Sequence, residues 1–240
     1  MSTLSGILSN FVERLLFRPV TVISVESVGG RFRLLRMHGE GFKNAKWKPG
    51  QTVQIFLGNL TKRAYTPMDL DPIAGSACFL FYLHDGGPGS RWAASVKPGD
   101  ECQVMHPKDS LDFRNFTTPT LFFGDETSFA AAQALSRCDR PGAASYFVLE
   151  VERPAEAEMV LRRLGVKEVV LIEKQEGGTH LPQVAAKLTE RAVNMRSLQW
   201  VFTGEAHSIQ SILKRLKHDR VALPKIKVKA YWSLGKTGMD

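Results

Sequence analysis

The chain has 240 residues, a length that suits one large domain or two of ordinary size. Hydrophobic residues make up 43% and charged residues 23%, which excludes a disordered protein. The formal net charge of +8 attracts anions, and nucleic acid, a dinucleotide cofactor and an anionic metal chelate all fit it.

Cysteine spacing and hydropathy exclude several further classes of protein. Cys78, Cys102 and Cys138 are widely spaced, so the sequence predicts neither a disulfide framework nor a zinc site. Cys78 and Cys102 lie in apolar runs and are expected to be small buried hydrophobes. No run approaches the roughly 18 apolar residues of a membrane span, and no nucleic-acid motif is present. We therefore expect a cytoplasmic monomer with no membrane or nucleic-acid partner.

The first half of the chain is typical of short strands separated by turns. Leu4 to Phe17 carries apolar residues at helical spacing and predicts a packed N-terminal helix. The strands that follow are predicted at Val20 to Val28, Phe32 to Met37, Thr52 to Leu57 and Cys102 to His106. Gly29-Gly30 predicts a hairpin, and Lys-Pro-Gly occurs twice as a turn. This pattern predicts an antiparallel Greek-key β-barrel over residues 1–114.

The second half alternates strands with helices. Strands are predicted at Thr120 to Gly124, Ala144 to Val151, Glu168 to Glu173, Leu198 to Thr203 and Ile226 to Trp232. Helices are predicted between them at Ser128 to Cys138, Ala155 to Leu164, Leu181 to Val193 and Ser208 to Lys217. Such alternation indicates a Rossmann-like parallel α/β domain over residues 115–240, with ligands at the carboxyl ends of its strands.

Two segments of the first half contain residue types that suit a flavin. In a strand, Arg63 and Tyr65 share one side and Thr66 turns to the other, so a phosphate-binding cation would lie beside an aromatic surface. The alternative is an ordinary edge strand with an exposed arginine and a packed tyrosine. Thr66 could donate a hydrogen bond to a flavin ring nitrogen.

The second of these segments runs from His84 to Ala93. Gly86, Gly87 and Gly89 allow close backbone approach to a phosphate, and the short helix after them has unpaired N–H groups at its start. Ser90 could cap that helix or donate to phosphate. For His84, flavin contact and a role in the turn remain equal alternatives, whereas Trp92 is expected in the core.

Two strand ends of the second half form the expected dinucleotide crevice. Gly124 follows an apolar strand, and Asp125, Glu126 and Thr127 lead into a helix, with Thr127 as the expected N-cap. Gly204 and Glu205 repeat this arrangement at a later strand end. The spacing is not that of the usual glycine-rich fingerprint, so these residues predict a dinucleotide site only in combination.

In these motifs and their order the chain resembles the siderophore-interacting protein family of flavin-dependent ferric-siderophore reductases. The resemblance rests on Arg63-Ala-Tyr-Thr66, on His84 with Gly87 to Ala93, on Lys97 to Asp100, on Gly124 to Thr127, on Trp200 to Glu205 and on Tyr231 to Gly235. It implies an FAD-binding barrel followed by an NAD(P)H-binding domain. The flavin-binding residues it implies are Arg63, Ala64, Tyr65, Thr66, His84, Gly87, Gly89, Ser90, Arg91 and Trp92. Those implied near the nicotinamide cofactor are Gly124, Asp125, Glu126, Thr127, Gly204 and Glu205, with Trp232 near the flavin.

The reaction implied is hydride transfer from NAD(P)H to FAD and single-electron transfer to Fe(III) of a siderophore, which releases Fe(II). Lys229 and Lys236 are the candidate substrate-binding residues, although Lys225, Lys227 and Lys229 are better explained as gatekeepers of an edge strand. The alternatives are a flavin reductase whose partner is ferredoxin or another protein, and a siderophore-binding protein without turnover. The choice of NADH or NADPH stays open, because Leu149-Glu-Val-Glu-Arg153 offers both acidic and basic side chains.

Overall fold

In the computed structural model of the chain, the residues described are 17–58, 61–84, 86–108, 110–193, 195 and 197–236. The helix predicted from Leu4 onward lies outside these residues, apart from Phe17. The chain divides into two compact units, Met1–Asp109 and Ser110–Asp240.

The first unit is an antiparallel half-barrel. Its strands are β1 (Arg18–Ser27), β2 (Phe32–His38), β3 (Val53–Phe56), β4 (Lys62–Tyr65), β5 (Pro67–Asp71), β6 (Ser76–Tyr82) and β7 (Glu101–Val104). They form a seven-stranded sheet in the order β4-β3-β7-β1-β2-β6-β5. Helix α1 (Pro88–Ser95) follows β6. The core side chains include Leu35, Phe79, Phe81 and Val104, and Cys78 and Cys102 are buried as predicted.

Strand β5 was not recognised in the sequence. Pro67 begins this strand, and a proline cannot donate to a neighbouring strand. The structure resolves the conflict by placing β5 at the edge of the sheet, where it pairs with β6.

The second unit is a parallel sheet with helices. Its strands are β8 (Thr120–Gly124), β9 (Ser145–Val151), β10 (Val169–Glu173), β11 (Gln199–Glu205) and β12 (Lys225–Trp232). Its helices are α2 (Phe129–Ser136), α3 (Pro154–Arg163), α4 (Leu181–Ala192) and α5 (Ala206–His218), with short 3₁₀ turns at Glu126–Ser128 and Glu176–Gly178. All pairings are parallel, in the order β10-β9-β8-β11-β12. The predicted fold class is therefore confirmed in both halves.

The strand order of the second unit determines where a ligand would bind. The chain starts in the middle at β8, winds outward to β9 and β10, and then returns to the other side of β8 with β11. The connections leave β8 and β11 in opposite directions, so their carboxyl ends form a crevice at this switch point. Gly124 and Gly204 lie at these two ends.

Candidate functional site

The edge strand β4 presents Arg63 and Tyr65 on one side, as the sequence predicts. Tyr65 pairs with Val53 and Arg63 with Ile55 on β3. Burial raises the pKa of the Tyr65 hydroxyl, and the nearby positive charge of Arg63 opposes that effect. Ala64 between them is exposed, and Thr66 is buried at 7% exposure.

The ring of Tyr65 belongs to an aromatic cluster. Its centroid lies 4.2 Å from that of Phe81, which lies 5.5 Å from that of Trp92. Tyr65 and Trp92 are both half-buried and pack against the half-barrel core. This packing matches the expectation for Trp92 and holds the Tyr65 ring in a defined position.

No side chain of the described residues caps the start of helix α1. Gly87 is the N-cap and Pro88 begins the helix. The first helical hydrogen bond runs from the Arg91 N–H to the Gly87 carbonyl over 3.0 Å. The N–H groups of Gly89 and Ser90 precede that bond, and an anion could accept from them.

Neither Ser90 nor Arg91 closes this helix end. The Ser90 hydroxyl donates to the His84 carbonyl over 2.6 Å, and the Arg91 guanidinium donates to the Gly86 carbonyl. Ser90 is therefore not the helix cap that we considered. These two bonds hold the turn before α1 in place. His84 is exposed, and its ring contacts that of Tyr82 at 6.2 Å between centroids.

Two glycines of this segment are required by close contacts. A Cβ atom at Gly89 would lie 1.9 Å from the Tyr65 hydroxyl oxygen, and one at Gly87 would lie 2.5 Å from the His84 ring. The backbone at the start of α1 therefore reaches the tyrosine hydroxyl directly. Arg63, the Tyr65 ring and the N–H groups at the start of α1 together fit a cofactor that carries both an aromatic ring and a pyrophosphate.

Arg33 on β2 supports this helix from its other end, and sequence reasoning missed it. Its guanidinium donates to the carbonyls of Ala93 and Ala94 over 2.7 and 2.8 Å. A cation at this position complements the negative end of the helix dipole. No local signal could reveal the role, because helix and arginine are about sixty residues apart in sequence.

In the second unit, Asp125 is wholly buried at the carboxyl end of β8. One carboxylate oxygen accepts from the N–H and the hydroxyl of Thr127, and the other accepts from the Trp232 indole N–H over 2.7 Å. Asp125 is the N-cap of the turn that leads into α2. The expectation that Thr127 is the cap was wrong, because the Asp125 carboxylate accepts from the Thr127 N–H and the Thr127 hydroxyl itself donates to that carboxylate.

Glu126 joins the ends of three strands. Its carboxylate accepts from the Lys174 ammonium over 2.7 Å, just after β10, and from the Glu152 N–H over 2.6 Å, just after β9. Burial raises the pKa of Glu126, and Lys174 only partly opposes this. The negative charges of Asp125, Glu126 and Glu150 all attract the Lys174 ammonium, so the pKa of Lys174 is raised despite its burial.

Glu205 caps the helix at the carboxyl end of β11. One oxygen accepts from the Ser208 N–H over 2.6 Å, while the other is buried and has no hydrogen-bond partner among the described residues. Gly204 before it has a φ of +101°, and a Cβ there would lie 2.7 Å from the Asp125 carboxyl carbon. A Cβ at Gly124 would lie 2.5 Å from Ser128. Both glycines thus allow the two strand ends to pack together.

The sequence-predicted residues of this unit therefore meet at one edge. Gly124 to Thr127, Gly204, Glu205 and Trp232 lie there together, and the Lys174 ammonium is 5.9 Å from the centre of a Trp232 ring. Lys229 pairs with Thr203 on the strand leading to this edge and is half-buried, and Lys236 is exposed beyond β12.

A buried hydrogen-bonded pair at the same edge was not foreseen. Glu150 near the end of β9 and His180 before α4 lie 2.8 Å apart, at 1% and 5% side-chain exposure. The His180 Nδ1 accepts from the Gln175 N–H over 3.1 Å, so Nε2 carries the proton that it donates to Glu150. Burial raises the pKa of Glu150, and the bond from His180 opposes this. Glu150 is thus part of the interior.

Comparison with known proteins agrees with this architecture. The model of the siderophore-interacting FAD-binding domain matches residues 58–111, and that of the siderophore-interacting protein matches residues 117–235. The chain belongs to the siderophore-interacting protein family. The predicted resemblance is confirmed, and FAD is the cofactor named by the model that covers β4 and α1.

Two curated relatives and one solved structure illustrate the match. The chain is 27% identical over 90% of its length to the mycobactin import ATP-binding/permease protein IrtA of Mycolicibacterium smegmatis, of which it spans 26%. It is 23% identical to the NADPH-dependent ferric-chelate reductase of Escherichia coli, over 90% of this chain and 92% of that protein. The siderophore-interacting protein SipS of Aeromonas hydrophila has the same fold, with a TM-score of 0.74, 21% identity and 92% of each chain covered.

Proposed function

We propose that the chain is a flavin-dependent ferric-chelate reductase that takes electrons from NAD(P)H and reduces Fe(III) held by a siderophore. The observation that carries the proposal is the contact between Gly89 and the Tyr65 hydroxyl, inside the segment matched by the FAD-binding model. It supports a site in which an aromatic ring system and a pyrophosphate are bound side by side. A relative named as a ferric-chelate reductase supports the reaction class.

The residues of the first unit divide the binding of FAD among them. Arg63 would pair with the pyrophosphate, whose remaining oxygens would accept from the N–H groups of Gly89 and Ser90. Tyr65 would lie against the flavin ring. Phe81 packs against the Tyr65 ring and Trp92 packs against Phe81, which holds the tyrosine in place. Thr66 would donate to the ring edge. A bound flavin accepts two electrons as hydride and returns them singly, as Fe(III) requires.

In the second unit, the two helix starts beside the switch point are already capped by Asp125 and Glu205. Each cap already occupies one N–H group of its helix start, and the carboxylates beside it would repel a pyrophosphate. We infer that this edge contacts the uncharged part of the dinucleotide. The unpartnered Glu205 oxygen would accept from an N–H or O–H group of the nicotinamide ribose end.

The iron substrate enters as an anionic chelate. No group of three or more metal-binding side chains occurs within the described residues, so the chelate rather than the protein would hold the iron. Lys229 and Lys236 are the proposed contacts, and the net charge of +8 would concentrate the chelate. Hard oxygen ligands hold Fe(III) far better than Fe(II), so reduction releases the metal.

A protein electron donor such as ferredoxin is the second candidate. The capped helix starts favour it, because their carboxylates disfavour a pyrophosphate at the usual site of this fold. In either case we propose that the protein acts as a monomer in the cytoplasm, where reduced nicotinamide cofactors and ferredoxin are found. Across the described ranges, no helix is long and apolar enough to cross a membrane.

The proposal is tested by spectroscopy of the purified protein. We expect a flavin spectrum that NADPH or NADH bleaches without oxygen and that a ferric siderophore restores, with Fe(II) trapped by a ferrous chelator. The Arg63→Ala variant should lose FAD on dialysis, whereas Arg36→Ala, which removes an exposed cation from β2, should keep it. A protein that takes up no FAD, or whose reduced flavin ignores the ferric chelate, would refute the proposal. Bleaching by reduced ferredoxin alone would establish the second candidate.

A further inference from the structure

The carboxyl end of β9 lies next to the switch-point strand β8, on the side away from β11. In dinucleotide-binding sheets of this type, the second strand ends near the adenosine ribose. An acidic side chain there binds the free ribose diol of NADH, and an arginine accommodates the 2′-phosphate of NADPH. The sequence places Glu150, Glu152 and Arg153 at this strand end.

The structure excludes Glu150 as a contact of the adenosine ribose. Its carboxylate lies in the interior and is paired with His180 over 2.8 Å. A residue at 1% exposure with an internal partner cannot reach a ribose at the surface. The two neighbouring residues, Glu152 and Arg153, are both exposed.

Arg153 occupies a position that helix energetics do not favour. It is the N-cap of α3, where Ser, Thr, Asp or Asn is preferred, and its side chain makes no capping bond. A cation at this end also opposes the helix dipole. Its guanidinium forms no hydrogen bond or ion pair with any residue in the described ranges. Local conflicts of this kind are expected where a residue is retained for function.

We propose that Arg153 binds the 2′-phosphate of the electron donor and makes NADPH the preferred substrate. The inference rests on the proposed function and specifies its donor. The planar guanidinium can form two parallel bonds to a phosphate, which the NADH ribose does not offer. Glu152 beside it repels a phosphate and accepts from a ribose hydroxyl. Preference for NADPH therefore depends on Arg153, and its removal leaves a site that suits NADH.

Arg153→Ser is the informative variant, because serine is a better N-cap and the helix should fold at least as well. The matched control is Arg162→Ala, which removes an exposed cation from the same helix. Anaerobic stopped-flow reduction of the flavin by NADPH and NADH gives the donor preference. Calorimetric titration with 2′,5′-ADP and 5′-ADP measures nucleotide binding without turnover.

We expect the wild type to prefer NADPH. In Arg153→Ser, the rate constant for flavin reduction by NADPH should fall about 10- to 100-fold, because a hydrogen bond to a charged group is lost. The NADH rate should stay within about twofold or rise, and 2′,5′-ADP should weaken by a similar factor while 5′-ADP does not. Arg162→Ala should behave as the wild type.

Equal use of NADH and NADPH by the wild type, or equal 2′,5′-ADP binding by wild type and variant, overturns the role of Arg153 and leaves the reductase proposal intact. If dithionite reduces the flavin but neither NADPH nor NADH does, then NAD(P)H is not the electron donor. That result overturns this inference as well. In that case a ferric siderophore that reoxidises the dithionite-reduced flavin would still support ferric reduction.

Discussion

At the scale of single residues, the candidate flavin site depends on the absence of one side chain. Gly89 has no Cβ, and for that reason the start of α1 reaches the hydroxyl of Tyr65. The tyrosine ring is held by Phe81, at 4.2 Å between centroids. An aromatic surface and a pair of backbone donors are thereby placed side by side without a catalytic side chain.

Gly89→Ala should therefore destabilise the protein. The new methyl group would overlap the Tyr65 hydroxyl, and overpacking of this kind costs about 1–3 kcal/mol. The double variant Gly89→Ala with Tyr65→Phe should recover most of that loss, because the nearest remaining ring atom would lie 3.3 Å away. Unfolding midpoints of the two single variants and the double variant test this. If the double variant instead loses as much stability as the two single variants together, the predicted overlap between residue 89 and the Tyr65 hydroxyl is wrong.

At the scale of elements, a carboxylate bridge connects the ends of three parallel strands. Glu126 follows β8, accepts from Lys174 after β10 and accepts from the N–H of Glu152 after β9. Lys174 also lies near Trp232, whose indole donates to Asp125. The carboxyl edge is thus a connected polar network, and the positions of its members depend on one another.

This bridge should make stability depend on pH in an unusual direction. Burial raises the pKa of Glu126, so the folded protein holds this proton more tightly than the unfolded chain. The resulting stabilisation is present below the usual value of 4.5 and is lost as pH rises through the raised pKa. Each pKa unit of the shift corresponds to about 1.4 kcal/mol.

Glu126→Gln should remove that loss, so the unfolding midpoint of the wild type should fall relative to the variant as pH rises from 4.5 toward neutrality. Glu173→Gln at the exposed end of β10 is the control, and it should follow the wild type. A wild type that gains stability relative to Glu126→Gln over this range would show that Lys174 outweighs burial.

At the scale of the whole molecule, charge is the dominant long-range property. The chain carries 32 Lys and Arg against 24 Asp and Glu. Several of the acidic side chains are buried at the edge of the parallel sheet, where Asp125, Glu126, Glu150 and Glu205 are at most 8% exposed. No lysine or arginine among the described residues is buried in this way, so the charged side chains that reach the surface have a larger basic excess than the formal balance indicates.

We therefore expect the reaction with an anionic ferric chelate to slow in salt. Between about 0.1 M and about 1 M salt the screening length falls from about 10 Å to about 3 Å. The kcat/KM for an anionic chelate should fall several-fold, because electrostatic steering is lost. A ferric chelate of zero net charge is the control and should change little. Equal salt dependence for both chelates would exclude steering by the net charge.

Much of this architecture could be predicted because its signals are local. Turn residues between short apolar runs marked the half-barrel, and strand–helix alternation marked the parallel sheet, each within a few residues of the true bounds. The motif around Arg63 and Tyr65 was recognised because a strand places alternate residues on one side. Strand β5 was missed because a proline argues against a central strand, and the edge position of β5 is a property of the assembled sheet.

The chain's own order of residues determined the fold class, the two halves and the residue types available for an aromatic, phosphorylated cofactor. Only the tertiary structure decided which side chains are free to use. Asp125, Glu126 and Glu150 read alike along the chain as acidic residues at strand ends, yet folding gives each an internal partner and leaves Arg153 exposed. The reason is physical: a buried charge must be paired, and its partners come from strands and helices distant in sequence.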